Sequence, residues 1–281
     1  MTIVNQDQSD RWNSGDDGAH WVAEKDRYDR MFEPILRMLL EAAHLDPGES
    51  VLDVGCGSGA TTLAAAIRVR PGQVLGLDLS DPMLELARSE AERAGIGNVG
   101  FERRDVQVLG IKSSFDVVVS RFGVMFFDDP TVAFASMRAA CRPGGRLVFV
   151  SWQPLADNEW LLVPAGALAE HLPLPAPPPA DSPGMFALSD PDRIRALLGD
   201  SGWHDVSVTS RHTSILLAGG GTIDETVRFL RTGSMGRTML DGVDPETEAR
   251  ALRSVHDALE RRGGADGVDL DAAVWLVEAL A

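Results

Sequence analysis

Between residues 50 and 152 strand and helix signals alternate: short apolar runs, turns, and segments with helical spacing. Residues 50–54, 73–79, 99–104, 115–120 and 146–152 read as strands, and 60–69, 82–94 and 132–141 as helices. Nearly continuous apolar strands alternating with amphipathic helices predict a parallel sheet covered on both faces. The punctuation agrees. Pro71-Gly72 stops the first helix, while Ser80 or Asp81 caps the second, with Pro82 in its first turn and Gly95 past its end. A chain of 281 residues has room for one such domain with insertions, or for two small ones.

The flanks follow different rules. The first forty residues read as a polar arm holding Trp12 and Trp21, then a helix carrying Tyr28, Met31, Phe32, Ile35, Leu36, Leu39 and Leu40. Asp46-Pro47-Gly48 ends it. Beyond Trp152, six prolines between Pro173 and Pro183 predict an extended, semi-rigid connection. A helix over 192–198 starts at Ser189-Asp190-Pro191, a strand covers 206–217, and polar helices cover 223–231 and 246–262. The run 272–277 reads as a last strand returning to the sheet. No internal repeat occurs. The expected organisation is an arm and cap helix over 1–44 and a core over 45–153. A proline-rich insertion over 154–190 follows, then a completion of the core over 191–281 with a helical insertion at 219–266.

Charge narrows the partners. Lys and Arg total 26 against 42 Asp and Glu, a formal net charge of −16 that repels phosphate polyanions at long range. Nucleic acid and anionic membranes are therefore not expected as partners. Two cysteines, Cys56 and Cys141, make no disulfide framework and point to a reducing cytoplasm. The first 17 residues lack the apolar stretch of a secretory signal, and no run reaches membrane-spanning length.

The sequence Asp53-Val54-Gly55-Cys56-Gly57-Ser58-Gly59-Ala60 joins a strand to a helix. Glycines there permit a tight turn and let a ligand approach the backbone at a helix start. Gly55, Gly57 and Ala60 also fit the dinucleotide fingerprint, whereas the absence of Lys rules out a Walker A loop. Asp53 stands two residues before the first glycine. It would repel a pyrophosphate but favour the ammonium of an amino-acid moiety. Asp78 ends the second strand and suits both hydroxyls of a ribose. Asp105 ends the third and suits an adenine amine, with the Val106 amide beside it. Strand-end aspartates also serve as plain helix caps. Three at consecutive strand ends, where open α/β sheets bind ligands, point to a site.

Four segments then carry a resemblance: 51–59 (VLDVGCGSG), 76–80 (GLDLS), 115–120 (FDVVVS) and 142–145 (RPGG). In this order and spacing the chain resembles the class I S-adenosylmethionine-dependent methyltransferases of the small-molecule type, over residues 20–153. The resemblance implies a doubly wound Rossmann-like sheet of seven strands, the last antiparallel, with helical lid insertions. It implies S-adenosyl-L-methionine as methyl donor and S-adenosyl-L-homocysteine as product. Gly55, Cys56 and Gly57 would then border the methionine part, with Asp53 near its amino group and Tyr28 near its carboxylate. Asp78 would hold the ribose, Leu79 and Met83 flank the adenine, Asp105 and Val106 read its edge, and Ser120 offer backbone near the methyl.

Acceptor candidates follow the fourth and fifth strands. Arg121 suits an acceptor's carboxylate or, equally, an ion pair with Asp128 or Asp129. Phe122 fits packing and acceptor contact alike, while Met125, Phe126 and Phe127 read as packing. Trp152, Asn158 and Trp160 belong at the mouth of the acceptor pocket, and Trp203 and Trp275 in the core. Glu170-His171 precedes the proline stretch; His171 is the one candidate base, with a solvated lid residue as its plainer reading. The other histidines form no i, i+4 pair, so no metal is expected. The expected function is methyl transfer to an O, N or C atom of a small acceptor. An NAD-dependent oxidoreductase and a non-catalytic S-adenosylmethionine-binding protein remain as alternatives, and monomer and homodimer stay open.

Overall fold

The computed structural model describes residues 2–176, 179 and 182–281. Eight strands form one sheet, in the order β3-β2-β1-β4-β5-β8-β6 with a two-residue β7 hanging on β8. β1 (Ser50–Val54) lies between β2 (Gln73–Asp78) and β4 (Phe115–Arg121), all parallel, and β3 (Val99–Arg103) is one edge. β5 (Cys141–Trp152) continues the parallel set, and β6 (His204–Leu216) is the other edge. Between them runs β8 (Gly267–Leu280), antiparallel to both neighbours, so the reversed last strand expected from the sequence is present. β7 (Gly263–Gly264) closes a small hairpin onto β8.

Burial tracks position in the sheet. Val51, Leu52, Val117, Val118, Val119 and Leu147 are fully buried in the central strands, whereas β3 is only half-buried along its length and β6 faces water on many residues. Apolar side chains on both faces of the central strands dictate cover on both sides. That cover includes α4 (Glu33–Ala42), α5 (Ala60–Val69), α6 (Asp81–Ala94), α7 (Pro130–Ala140) and α9 (Pro191–Asp200). Capping follows the sequence signals. The Ser80 side chain accepts from the Met83 amide, Gly95 ends α6 in the left-handed region, and Asp190 accepts from the Asp192 amide.

Four expectations need correction. The polar arm is helical, with α1 (Gln6–Asn13) and α2 (Asp16–Ala23) preceding α3 (Lys25–Met31). Its buried residues are polar or glycine (Gln8, Ser9, Gly18 and His20), so no apolar stripe betrays these helices in the sequence. The insertion after Trp152 contains α8 (Glu159–Ala169), apolar all round and with Pro164 inside it, features that mask helical periodicity. Cys141, expected to end a helix, starts β5, and a further helix, α11 (Ser234–Leu240), sits between α10 (Ile223–Thr232) and α12 (Pro245–Glu260). The proline-rich connection includes Pro177 and Pro178, which lie outside the described residues.

No helix among the described residues is long and apolar enough to cross a membrane.

Candidate active site

The order of strands reverses between β1 and β4, and there a crevice opens at their carboxyl ends, the place where open α/β sheets take ligands. The cavity occupies about 260 Å³. Two backbones cross at its floor. A Cβ on Gly55, whose φ is +68°, would lie 2.6 Å from the Gly123 Cα, so only glycine lets the β1 and β4 loops pass. Phe122, just before that crossing, is held at φ 70°, a conformation rare for a bulky side chain and characteristic of functional sites.

The strand-end half is made of acids already hydrogen-bonded within the chain, Asp78 keeping a lone pair on each oxygen. Asp78 Oδ2 accepts from the Gly57 amide at 2.7 Å and Oδ1 from the Ser80 amide at 2.9 Å. Burial nonetheless pushes its pKa up, against those hydrogen bonds. Asp105 is committed too: Oδ1 accepts from Gln107, and Oδ2 from the amides of Val4 and Asn5, each at 2.9 Å. Its carboxylate therefore holds the N-terminal arm. Leu79, Met83 and Val106 add apolar wall, and Cys56 lines the turn with a thiol that burial and the Asp78 and Asp53 charges keep protonated.

The opposite half is aromatic. Phe122 stacks on Trp152 at 4.2 Å between ring centroids, Trp152 meets Trp160 at 5.0 Å, and Phe32 touches all three. Tyr28 stacks on Trp21 at 3.7 Å, and burial raises its pKa, so its hydroxyl stays protonated. The arm, α3, α10 and α11 supply the roof. Asp17 joins two of these segments, pairing with Arg237 and with Arg11 Nε at 2.5 Å, while Arg11 Nη2 donates to Ser234 Oγ. Arg27 and Arg30 reach across to carbonyls of Ala218, Gly219 and Gly220.

Tyr28, Gly55, Cys56, Gly57, Asp78, Leu79, Met83, Asp105, Val106, Arg121, Phe122, Trp152 and Trp160 thus converge on one cavity, and others do not. Asp53 is wholly buried behind it, accepting from Thr62 Oγ1 at 2.6 Å while Oδ1 has no partner. Burial pushes its pKa up to about 7. Ser120 is buried as well and donates to the Val54 carbonyl. Asn158 clamps main chain, donating to the Gln153 and Pro154 carbonyls and accepting from Ala273. Glu170 is exposed at the carboxyl end of α8, and His171 pairs with Ser254 at 2.8 Å; neither lines the cavity, because α8 packs on α12. Arg121 makes no ion pair with Asp128 or Asp129; Asp129 caps α7 instead. Asn5, Gln8, Trp12, Phe32 and Phe229 also line the cavity. Of these, only Trp12 offered a signal, a large aromatic in a polar segment.

The comparisons agree with this geometry. A sequence profile of methyltransferase domains matches residues 51–145. A nocamycin O-methyltransferase from Saccharothrix syringae is 36% identical over 173 residues, 60% of this chain and 58% of that protein. An aklanonic acid methyltransferase from Streptomyces sp. (strain C5) is 35% identical over 158 residues, 52% of this chain and 72% of the relative. In three dimensions the chain is similar to the YcgJ protein of Bacillus subtilis, with TM-score 0.57 and 18% identity over 87% of this chain and 97% of that one. It is likewise similar to a Haemonchus contortus phosphoethanolamine N-methyltransferase solved with phosphomonomethylethanolamine and S-adenosylhomocysteine. There the TM-score is 0.59 at 18% identity, over 99% of this chain and 60% of the other. At such identities the solved structures establish the fold, and the sequence relatives carry the rest: the chain belongs to the S-adenosylmethionine-dependent methyltransferases.

Proposed function

We propose that the protein moves the methyl group of S-adenosylmethionine to a nucleophilic O, N or C atom of a small organic acceptor. The observation that carries this reading is one continuous cavity with a carboxylate-and-glycine end on β1 and β2 and an aromatic end on β4 and β5. The residues present fit the donor. A Cβ on Gly57 would meet nothing closer than Met83 Sδ at 3.6 Å, so the turn faces open space able to take a ligand against its backbone. Asp78 stands beside it with a carboxylate suited to vicinal hydroxyls, and Leu79, Met83 and Val106 suit a flat heterocycle.

S-adenosylmethionine supplies an electrophilic methyl on a sulfonium, and its transfer leaves a neutral thioether. The chain's part is to position and to exclude water. Gly55 and Gly57 border the donor's amino-acid end, and Asp78 orients its ribose through a carboxylate already fixed by two amides. Asp53, buried outside the cavity lining with one oxygen unpaired and its pKa pushed up to about 7, acts on a cation in the cavity through charge and not through contact. The aromatic end holds the acceptor, and the arm with α11 closes over both.

Calorimetry with S-adenosylhomocysteine and with NAD tests the donor assignment, and transfer of a labelled methyl to added acceptors tests turnover. The expected result is tight binding of S-adenosylhomocysteine and none of NAD. Binding of NAD in preference would overturn the reading.

A further inference from the structure

Arg121 is the unusual group in this cavity. It leaves the carboxyl end of β4, lines the cavity, and makes no hydrogen bond or ion pair among the described residues. Nη1 is fully buried without a partner. The guanidinium sits 6.0 Å from the centroid of the Phe32 ring, and that ring packs against Phe122, Trp152 and Trp160. The nearby acids do not neutralise it. Asp29 pairs with Lys25 Nζ at 2.6 Å, and Asp53, with one oxygen on Thr62 and the other unpartnered, reaches Arg121 only through charge. A guanidinium nitrogen buried without a partner is expensive unless a ligand completes it. Burial lowers its pKa against the charges of Asp29 and Asp53, without any neighbour close enough to bond it.

We infer that Arg121 is the anion anchor of the acceptor site, and that the acceptor is a flat, apolar molecule bearing a carboxylate. This rests on the methyltransferase reading. The stacked Phe122 and Trp152 rings offer a planar apolar face, and the guanidinium beside them offers a fork that matches a two-oxygen anion. Arg121 stands two residues from the Gly55–Gly123 crossing and so borders both parts of the cavity, and the Phe32 ring beside it, with its aromatic neighbours, favours the acceptor side. An acidic acceptor also suits a cavity with no histidine among its lining residues, since such a molecule arrives ionised at neutral pH.

The test uses 2-naphthoate and its uncharged isostere 2-naphthamide, titrated by tryptophan fluorescence into the protein saturated with S-adenosylhomocysteine. The wild type is expected to bind naphthoate at least tenfold more tightly than the amide. In Arg121→Gln that ratio falls to near one while affinity for S-adenosylhomocysteine stays within twofold, and Arg121→Lys keeps an intermediate preference. Equal binding of the two probes, or binding of neither, overturns the inference, and the wild-type pair decides this even if a variant fails to fold. A parallel loss of S-adenosylhomocysteine affinity in Arg121→Gln also overturns it, by assigning the cation to the donor's carboxylate. Failure of the wild type to bind S-adenosylhomocysteine at all would instead remove the methyltransferase reading underneath.

Discussion

The two ends of the cavity solve opposite problems. At the strand ends, Asp78 and Asp105 have their oxygens tied to the amides of Gly57, Ser80, Gln107, Val4 and Asn5, so their geometry is set before any ligand arrives. At the aromatic end the single cation has no polar partner, and the walls are rings drawn from α3–α4, β4, β5 and α8. One end is rigid and pre-paired, as suits a ligand shared by a whole family. The other is left chemically incomplete, as suits a ligand specific to one protein.

The sharpest way to break this contrast is to remove the pre-pairing. Asp78→Ala deletes two charge-assisted hydrogen bonds within the site and, on the proposed reading, the contact to the donor's ribose, each worth about 1.5–3 kcal/mol. Affinity for S-adenosylhomocysteine should fall about 100-fold or more by calorimetry, at two or more factors of ten for such a loss. Retention of wild-type affinity would mean that the carboxylate serves the turn alone.

A smaller effect is expected at the roof. Asp17→Asn weakens the pairings with Arg237 and Arg11 that bind the arm to α11. Hydrogen exchange should accelerate in residues 6–23 and 234–240 by about tenfold and leave β1 and β4 unchanged, because local opening draws on local contacts. Acceleration of the central strands would show that roof and sheet unfold together.

The effect at Asp53 is on stability and not on binding. Its folded pKa, about 7, lies above its ordinary value of 3.8, so between pH 4 and pH 7 the folded state binds more protons than the unfolded one. Stability therefore falls as pH rises through that window and levels off above it. Asp53→Asn should flatten this slope in thermal melts of the ligand-free protein, leaving a remnant from Asp78, whose pKa is shifted the same way. An unchanged slope would place the buried charge elsewhere.

The strand-end half was legible in sequence for a physical reason. Gly55 and Gly57 must tolerate left-handed backbone, and Asp78 must follow a buried apolar run, so both leave local marks. Asp53 left the same mark but sits one layer below, since a strand-end side chain faces either ligand or helix and spacing alone does not say which. The roof left almost none. Gln8, Ser9 and His20 are buried on short polar helices, and their burial depends on Asp105 and on α10, which lie far along the chain. Glu170 and His171 precede the proline stretch, and the sequence leaves a pocket role open beside a plain lid residue because Pro164 and an apolar surface hide α8, whose end packs on α12.

The hold of Asp105 on Val4 and Asn5 spans 100 residues and more of intervening chain. Closing so long a loop costs chain entropy, and the contact needs β3 in place to present Asp105. The arm's polar contacts include those to Asp105, Phe126, Leu79 and Arg103, and none of these is a rung between strands. Releasing the arm would therefore uncover the crevice without unpairing a single strand beneath it.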